Sequence, residues 1–120
     1  MADVIALVDD LFFQSKLAET ARLAGVELKM TNSNDALILA AAENPAATLL
    51  LDLNARGKPL DALAALRNHS AAPARRVIAF LSHVQTELAE QARAAGCDEV
   101  MPRSKFTMEL PRILRDAKGQ

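Results

Sequence analysis

Two adjacent carboxylates, Asp9 and Asp10, follow the apolar run Val4 to Val8, and a third, Asp52, follows the run Ala47 to Leu51, with Asn54 two residues further on. Ser82 and His83 come directly after another apolar run, Val77 to Leu81, and Arg103 and Lys105 follow the short segment Glu99 to Met101. Three carboxylates gathered at one place repel one another: at ~4 Å and an effective dielectric near 20, each pair costs about 4 kcal/mol. A divalent cation relieves that repulsion, and an all-oxygen donor set suits Mg2+ or Mn2+ rather than zinc. Aspartates also cap helices, and Asp9 or Asp10 taken alone reads as the cap of the helix that follows. The joint arrival of four polar strand ends at one edge is what favours a site.

The elements that must position these residues alternate in character. Val4 to Val8, Val26 to Met30, Ala47 to Leu51, Val77 to Leu81 and Glu99 to Met101 are short and compact, and three of them are almost uniformly apolar, as strands covered on both faces are. Between them lie stretches with helical spacing. Leu17, Ala21 and Ala24 recur at intervals of four and three before Gly25, and Ala36, Leu37, Ala40 and Ala41 precede an Asn-Pro pair. "LDALAALRN" and "TELAEQARAAG" follow, and the last stretch, "FTMELPRILRDAK", contains Pro111, so that helix is expected to begin late or to lose a hydrogen bond. A β-α unit repeated five times implies right-handed crossovers, a parallel sheet with helices on both faces, and ligands at the carboxyl ends of the strands. On this reading Asp52 is lifted out of the apolar run at the strand's end, because burying an ionised carboxylate alone costs several kcal/mol.

Composition agrees. The 120 residues suit one domain, 51% hydrophobic and 24% charged residues describe a globular chain, and 3% aromatic residues describe an aliphatic core. A net charge of −1 supplies no field for nucleic acid or an anionic membrane, and the single cysteine, Cys97, rules out an internal disulfide. The first apolar run is too short for a signal or a membrane span, which points to the cytoplasm. His69 and His83 lack the spacing of paired metal ligands.

"LVDD" at the first strand, "LLLDLN" at the third, "AFLS" at the fourth and "AAGCDEVMPRSKF" around the fifth make the chain resemble the receiver domain of two-component response regulators, of the single-domain chemotaxis type. The resemblance spans the whole chain. It implies a doubly wound, flavodoxin-like α/β fold with strand order 2-1-3-4-5 and five helices, forming one receiver domain over residues 1–120 with no output domain. It makes Asp52 the phosphoacceptor for a histidine kinase or histidine phosphotransfer protein, a role a carboxylate can fill because a loose phosphoryl-transfer transition state asks mainly for alignment and charge neutralisation. It makes Asp9, Asp10, Asp52 and the backbone carbonyl of Asn54 the ligands of Mg2+ or Mn2+, and Ser82 the switch hydroxyl.

Three positions depart from the family pattern. Arg103 and Ser104 stand where a Lys-Pro pair is usual, so the cation facing Asp52 is either Arg103, whose planar fork is not equivalent to an ammonium, or Lys105. His83 stands where a small residue is usual and could narrow the approach to Asp52. Val100 replaces an aromatic residue and cannot make a comparable inward swing.

The leading expectation is a non-enzymatic phosphorelay regulator whose output is a protein contact through the face of the fourth helix, fifth strand and fifth helix, with Glu87, Gln91, Arg112 and Arg115 as contact candidates. Its alternative is a degenerate receiver acting as a scaffold without phosphorylation. A hydrolase or flavin protein on the same sheet is disfavoured: no Asp-x-Asp pair includes Asp52, and no Gly-rich or Ser/Thr-rich phosphate loop follows the first strand.

Overall fold

The computed structural model describes residues 1–69, 75–82 and 85–119; His83 lies outside the described residues, as does the side chain of His69. The chain runs β1 (Val4–Leu7), α1 (Leu11–Ala24), β2 (Leu28–Thr31), α2 (Asn34–Glu43), β3 (Thr48–Asp52), α3 (Pro59–His69), β4 (Val77–Leu81), α4 (Thr86–Ala94), β5 (Glu99–Pro102) and α5 (Arg103–Ala117). All strand pairs are parallel, in the order β2-β1-β3-β4-β5. The doubly wound α/β fold expected from the sequence is the fold observed.

Strand geometry divides the core in two. Successive side chains point to opposite faces, so Ile5, Leu7, Leu49, Leu51, Val77 and Ala79 pack on one side with Leu37 of α2, Leu63 of α3 and Ala92 of α4. Val4, Ala6, Leu50, Ile78 and Phe80 pack on the other side with Phe13 and Leu17 of α1 and Phe106 and Leu110 of α5. Every residue of β1, β3 and β4 is buried, while the edge strands β2 and β5 are only partly so.

Local signals set the helix ends. Asp10 caps α1 by accepting from the N–H groups of Phe12 and Phe13 at 3.0 and 3.2 Å, and Gly25 closes it in the left-handed conformation. Ser33 caps α2 through the Ala36 N–H at 3.1 Å. The second strand begins two residues later than expected, since Val26 belongs to the turn after α1, with its N–H on the carbonyl of Ala21. The fifth helix does not begin late. It starts at Arg103, directly after β5, and carries Pro111 in its interior on an exposed turn, so the missing N–H is the second of the two expected outcomes. No described helix is long and apolar enough to cross a membrane.

Candidate functional site

The site is assembled where β1, β3 and β4 end. Asp52 is the last residue of β3 and is paired in register with Phe80 of β4, so it shares the sheet face of the α1 and α5 core. It is not lifted out into solvent: Asp52 is 2% exposed. Its two oxygens are separately engaged. Oδ1 accepts the N–H of Asn54 at 2.9 Å, and Oδ2 accepts Nη2 of Arg103 at 3.2 Å. Burial pushes its carboxyl above the ordinary value; the Asn54 N–H and the Arg103 charge pull it back without cancelling the rise, to which Asp9 adds.

Asp10 works on two sides. Oδ1 caps α1, and Oδ2 accepts Nη1 of Arg103 at 3.1 Å. The N–H of Phe13 and the guanidinium of Arg103 hold its carboxyl below the ordinary value. Asp9 turns to the loop after β3, where its Oδ2 accepts the backbone N–H of Arg56 at 2.9 Å and Nε of Arg56 at 3.4 Å.

Arg103 therefore bridges two of the three carboxylates, and it is the first residue of α5, a helix whose phase is set by the buried Phe106, Leu110 and Leu114. Lys105, two residues on, is exposed. The guanidinium lies over the ring of Phe13, with Cζ 4.6 Å from its centroid and 5.8 Å from that of Phe80. Phe106 stacks on Phe80 at 4.2 Å and approaches Phe13 at 6.0 Å, completing an aromatic floor built from three of the chain's four phenylalanines. Contacts of a partly buried guanidinium with ring faces add about 1 kcal/mol of attraction.

Ser82 has its hydroxyl engaged by Asn54. Its N–H and Oγ both donate to Oδ1 of Asn54, at 2.7 and 3.1 Å, and Nδ2 of Asn54 donates to Oε1 of Gln85, the residue preceding α4, at 2.8 Å. The sequence predicts a role only for the backbone carbonyl of Asn54, whereas its side chain joins the end of β4 to the start of α4. The aromatic floor, Arg56 and Gln85 carry no spacing or motif in the sequence that marks them as parts of the site.

No protein-family model matches the sequence, and no curated protein matches it. Solved structures do match the fold. CheY4 of Vibrio cholerae, a chemotaxis protein, superposes with a TM-score of 0.82 over 98% of both chains at 17% identity. The signal receiver domain of NarL from Mycobacterium tuberculosis gives 0.79 over 98% of this chain and 96% of its own at 20% identity. The beryllofluoride-activated NtrC4 receiver domain gives 0.76 over 95% and 97% at 16% identity. The fold is that of a response-regulator receiver domain.

Within this receiver fold, the residues expected to hold Mg2+ or Mn2+ do not fit a divalent cation as they are arranged. Among the described residues no three acidic, histidine or cysteine side chains are grouped closely enough to share a metal ion. The Oδ2 atoms of Asp10 and Asp52 converge on a guanidinium, and Asp9 is tied to Arg56.

On the face proposed for protein contacts, Val100 lines a cleft of about 200 Å³ between α4 and β5 with Leu81, Ala89 and Arg93. Glu87, Gln91 and Arg115 are exposed. Arg112 is not a free contact: it is held by Glu99, Glu109 and Asp116 in an ion-pair network that joins β5 to α5.

Proposed function

We propose that the chain is a receiver-type phosphoacceptor in two-component signalling. Asp52 accepts a phosphoryl group from a histidine kinase or histidine phosphotransfer protein and switches a protein contact. The reading rests most on one observation: a carboxylate at the carboxyl end of the central strand, buried, with a guanidinium on one oxygen and a backbone N–H on the other.

In the transfer, an Asp52 oxygen forms a bond to phosphorus as the bond from the donor imidazole nitrogen to phosphorus breaks, and the electron pair returns to the imidazole. Arg103 suits this step because its fixed charge sits on Oδ2 of Asp52 and its remaining N–H groups can donate to the anionic oxygens of the incoming phosphoryl group. The acyl phosphate adds acceptor oxygens beside Ser82, whose hydroxyl is spent on Asn54 in the unmodified protein. Recruiting that hydroxyl would leave Asn54 held to Ser82 by the backbone N–H alone and loosen its link to Gln85 at the start of α4. On this reading the signal runs through Ser82, Asn54 and Gln85 to the α4, β5 and α5 face, with Glu87, Gln91 and Arg115 available to a partner; the chain is a cytoplasmic signalling protein, not an enzyme.

A second reading is favoured by the Arg103 bridge itself. A receiver whose acidic pocket already holds a bridging cation can serve as a scaffold without phosphorylation. The two separate on exposure to acetyl phosphate, with and without Mg2+. Gain of one phosphoryl mass that is lost in Asp52→Asn, together with amide shifts at Ser82 and Gln85, supports the switch. No adduct, and no shift with beryllofluoride, leaves the scaffold.

A further inference from the structure

We infer that the acidic pocket of this chain is built around a resident guanidinium in place of a divalent metal ion, so that Arg103 excludes the metal that the carboxylates would otherwise bind. The inference rests on the same reading of the pocket, and its test uses no phosphoryl donor, so its failure and the failure of the phosphorylation reading are distinguishable.

Three features make this a guanidinium site. Arg103 reaches both carboxylates with different nitrogens, Nη1 to Asp10 at 3.1 Å and Nη2 to Asp52 at 3.2 Å, a span that matches the planar fork of arginine and that one ammonium fills less well. The ring of Phe13 lies 4.6 Å beneath Cζ, offering its face to a delocalised planar cation. The remaining acid has its own partner, since Asp9 is bound to the backbone and side chain of Arg56. A small cation demanding near-octahedral oxygen coordination must displace Arg103 from both aspartates and from the ring at once.

The displaced guanidinium would also lose its seat. Nε of Arg103 is buried without a hydrogen-bond partner among the described residues, so the side chain is held by its two terminal nitrogens and its contact with the ring. Removing the charge while keeping most of the bulk, as in Arg103→Gln, leaves two carboxylates facing each other without compensation, which is the condition that attracts a divalent ion.

Titration of the 15N-labelled protein with Mn2+, read as paramagnetic broadening of the amides of Asp10, Phe13, Asp52 and Leu53, tests this directly. Broadening that is strongest at these amides and falls off with distance from them reports the pocket and not scattered surface acids. The wild type should show none at concentrations that broaden them in Arg103→Gln, corresponding to a gain in affinity of about tenfold or more, and Mg2+ should raise the Tm of the variant alone. Arg103→Lys serves if the glutamine variant does not fold, because it keeps the charge and loses the fork; it should admit Mn2+ where the wild type does not. Local broadening in the wild type at the same concentration overturns the inference. So does its absence from every folded variant, since the guanidinium is then not what keeps metal out.

Discussion

Nη2 of Arg103 stands 3.2 Å from Oδ2 of Asp52, a carboxylate that is 2% exposed. Removing the cation from such a pair leaves a buried charge without its partner. Arg103→Ala should lower the unfolding free energy by about 3 kcal/mol. In an Asp52→Asn background the same change should cost at least about 1 kcal/mol less, because the charge it strands is gone. Urea unfolding of the four proteins measures the coupling, and strictly additive costs would show that the two residues are not an energetic unit.

Burial holds the Asp52 carboxyl above its ordinary value of 3.8. A carboxyl raised in the folded protein binds its proton more tightly there than in the unfolded chain, so its contribution to stability is complete below 3.8 and is lost as pH rises through the folded value. Ionised Asp52 therefore weighs against the fold at neutral pH. Asp52→Asn should become progressively more stable relative to wild type between these limits, as seen in denaturant midpoints taken across the range. A difference that does not change with pH refutes the assignment.

Glu99 on β5 shows the opposite sign. Partial burial raises its carboxyl, but hydrogen bonds from Arg112 and Arg76 outweigh burial and hold it below its ordinary value of 4.5. Its contribution is present above 4.5 and disappears as pH falls through the lowered folded value. Glu99→Gln should cost about 1 kcal/mol at neutral pH and low salt, and thermal unfolding should show that cost shrinking in acid and at high ionic strength. An unchanged cost in acid would mean that Glu99 contributes by packing and not by charge.

Cys97 precedes β5 and is 7% exposed; burial pushes its thiol from 9.0 to about 11, against a lowering by Arg67. The thiolate fraction at neutral pH is then about a hundredfold below that of an ordinary cysteine. Iodoacetamide should label the native protein at least that much more slowly than the urea-unfolded chain, and equal rates would contradict the burial. Because the folded value is raised, stability should also decline as pH climbs from 9.0 towards about 11, a slope that Cys97→Ala should lack.

What the chain's order of residues determines by itself is its architecture. Apolar runs such as Leu49 to Leu51 and helical spacings such as Leu17 and Ala21 follow from the periods of strand and helix, which are properties of the backbone and act over a few residues. They suffice to bring Asp9, Asp10, Asp52, Ser82 and Arg103 to one edge. Spacing alone did not choose between Arg103 and Lys105, two residues apart at the start of one helix. That choice was made by the phase of α5 on the core, which turns Arg103 over Phe13 and leaves Lys105 exposed. Nor did it reveal that Asp52 is buried, since the groups that make burial tolerable come from residues 54 and 103. The Asn54 side chain finds Ser82 and Gln85 across 28 and 31 positions of sequence. Contacts of that kind depend on which side chains the packed layers bring within hydrogen-bond reach. No local period encodes them, so only the tertiary structure decided that the pocket holds a guanidinium.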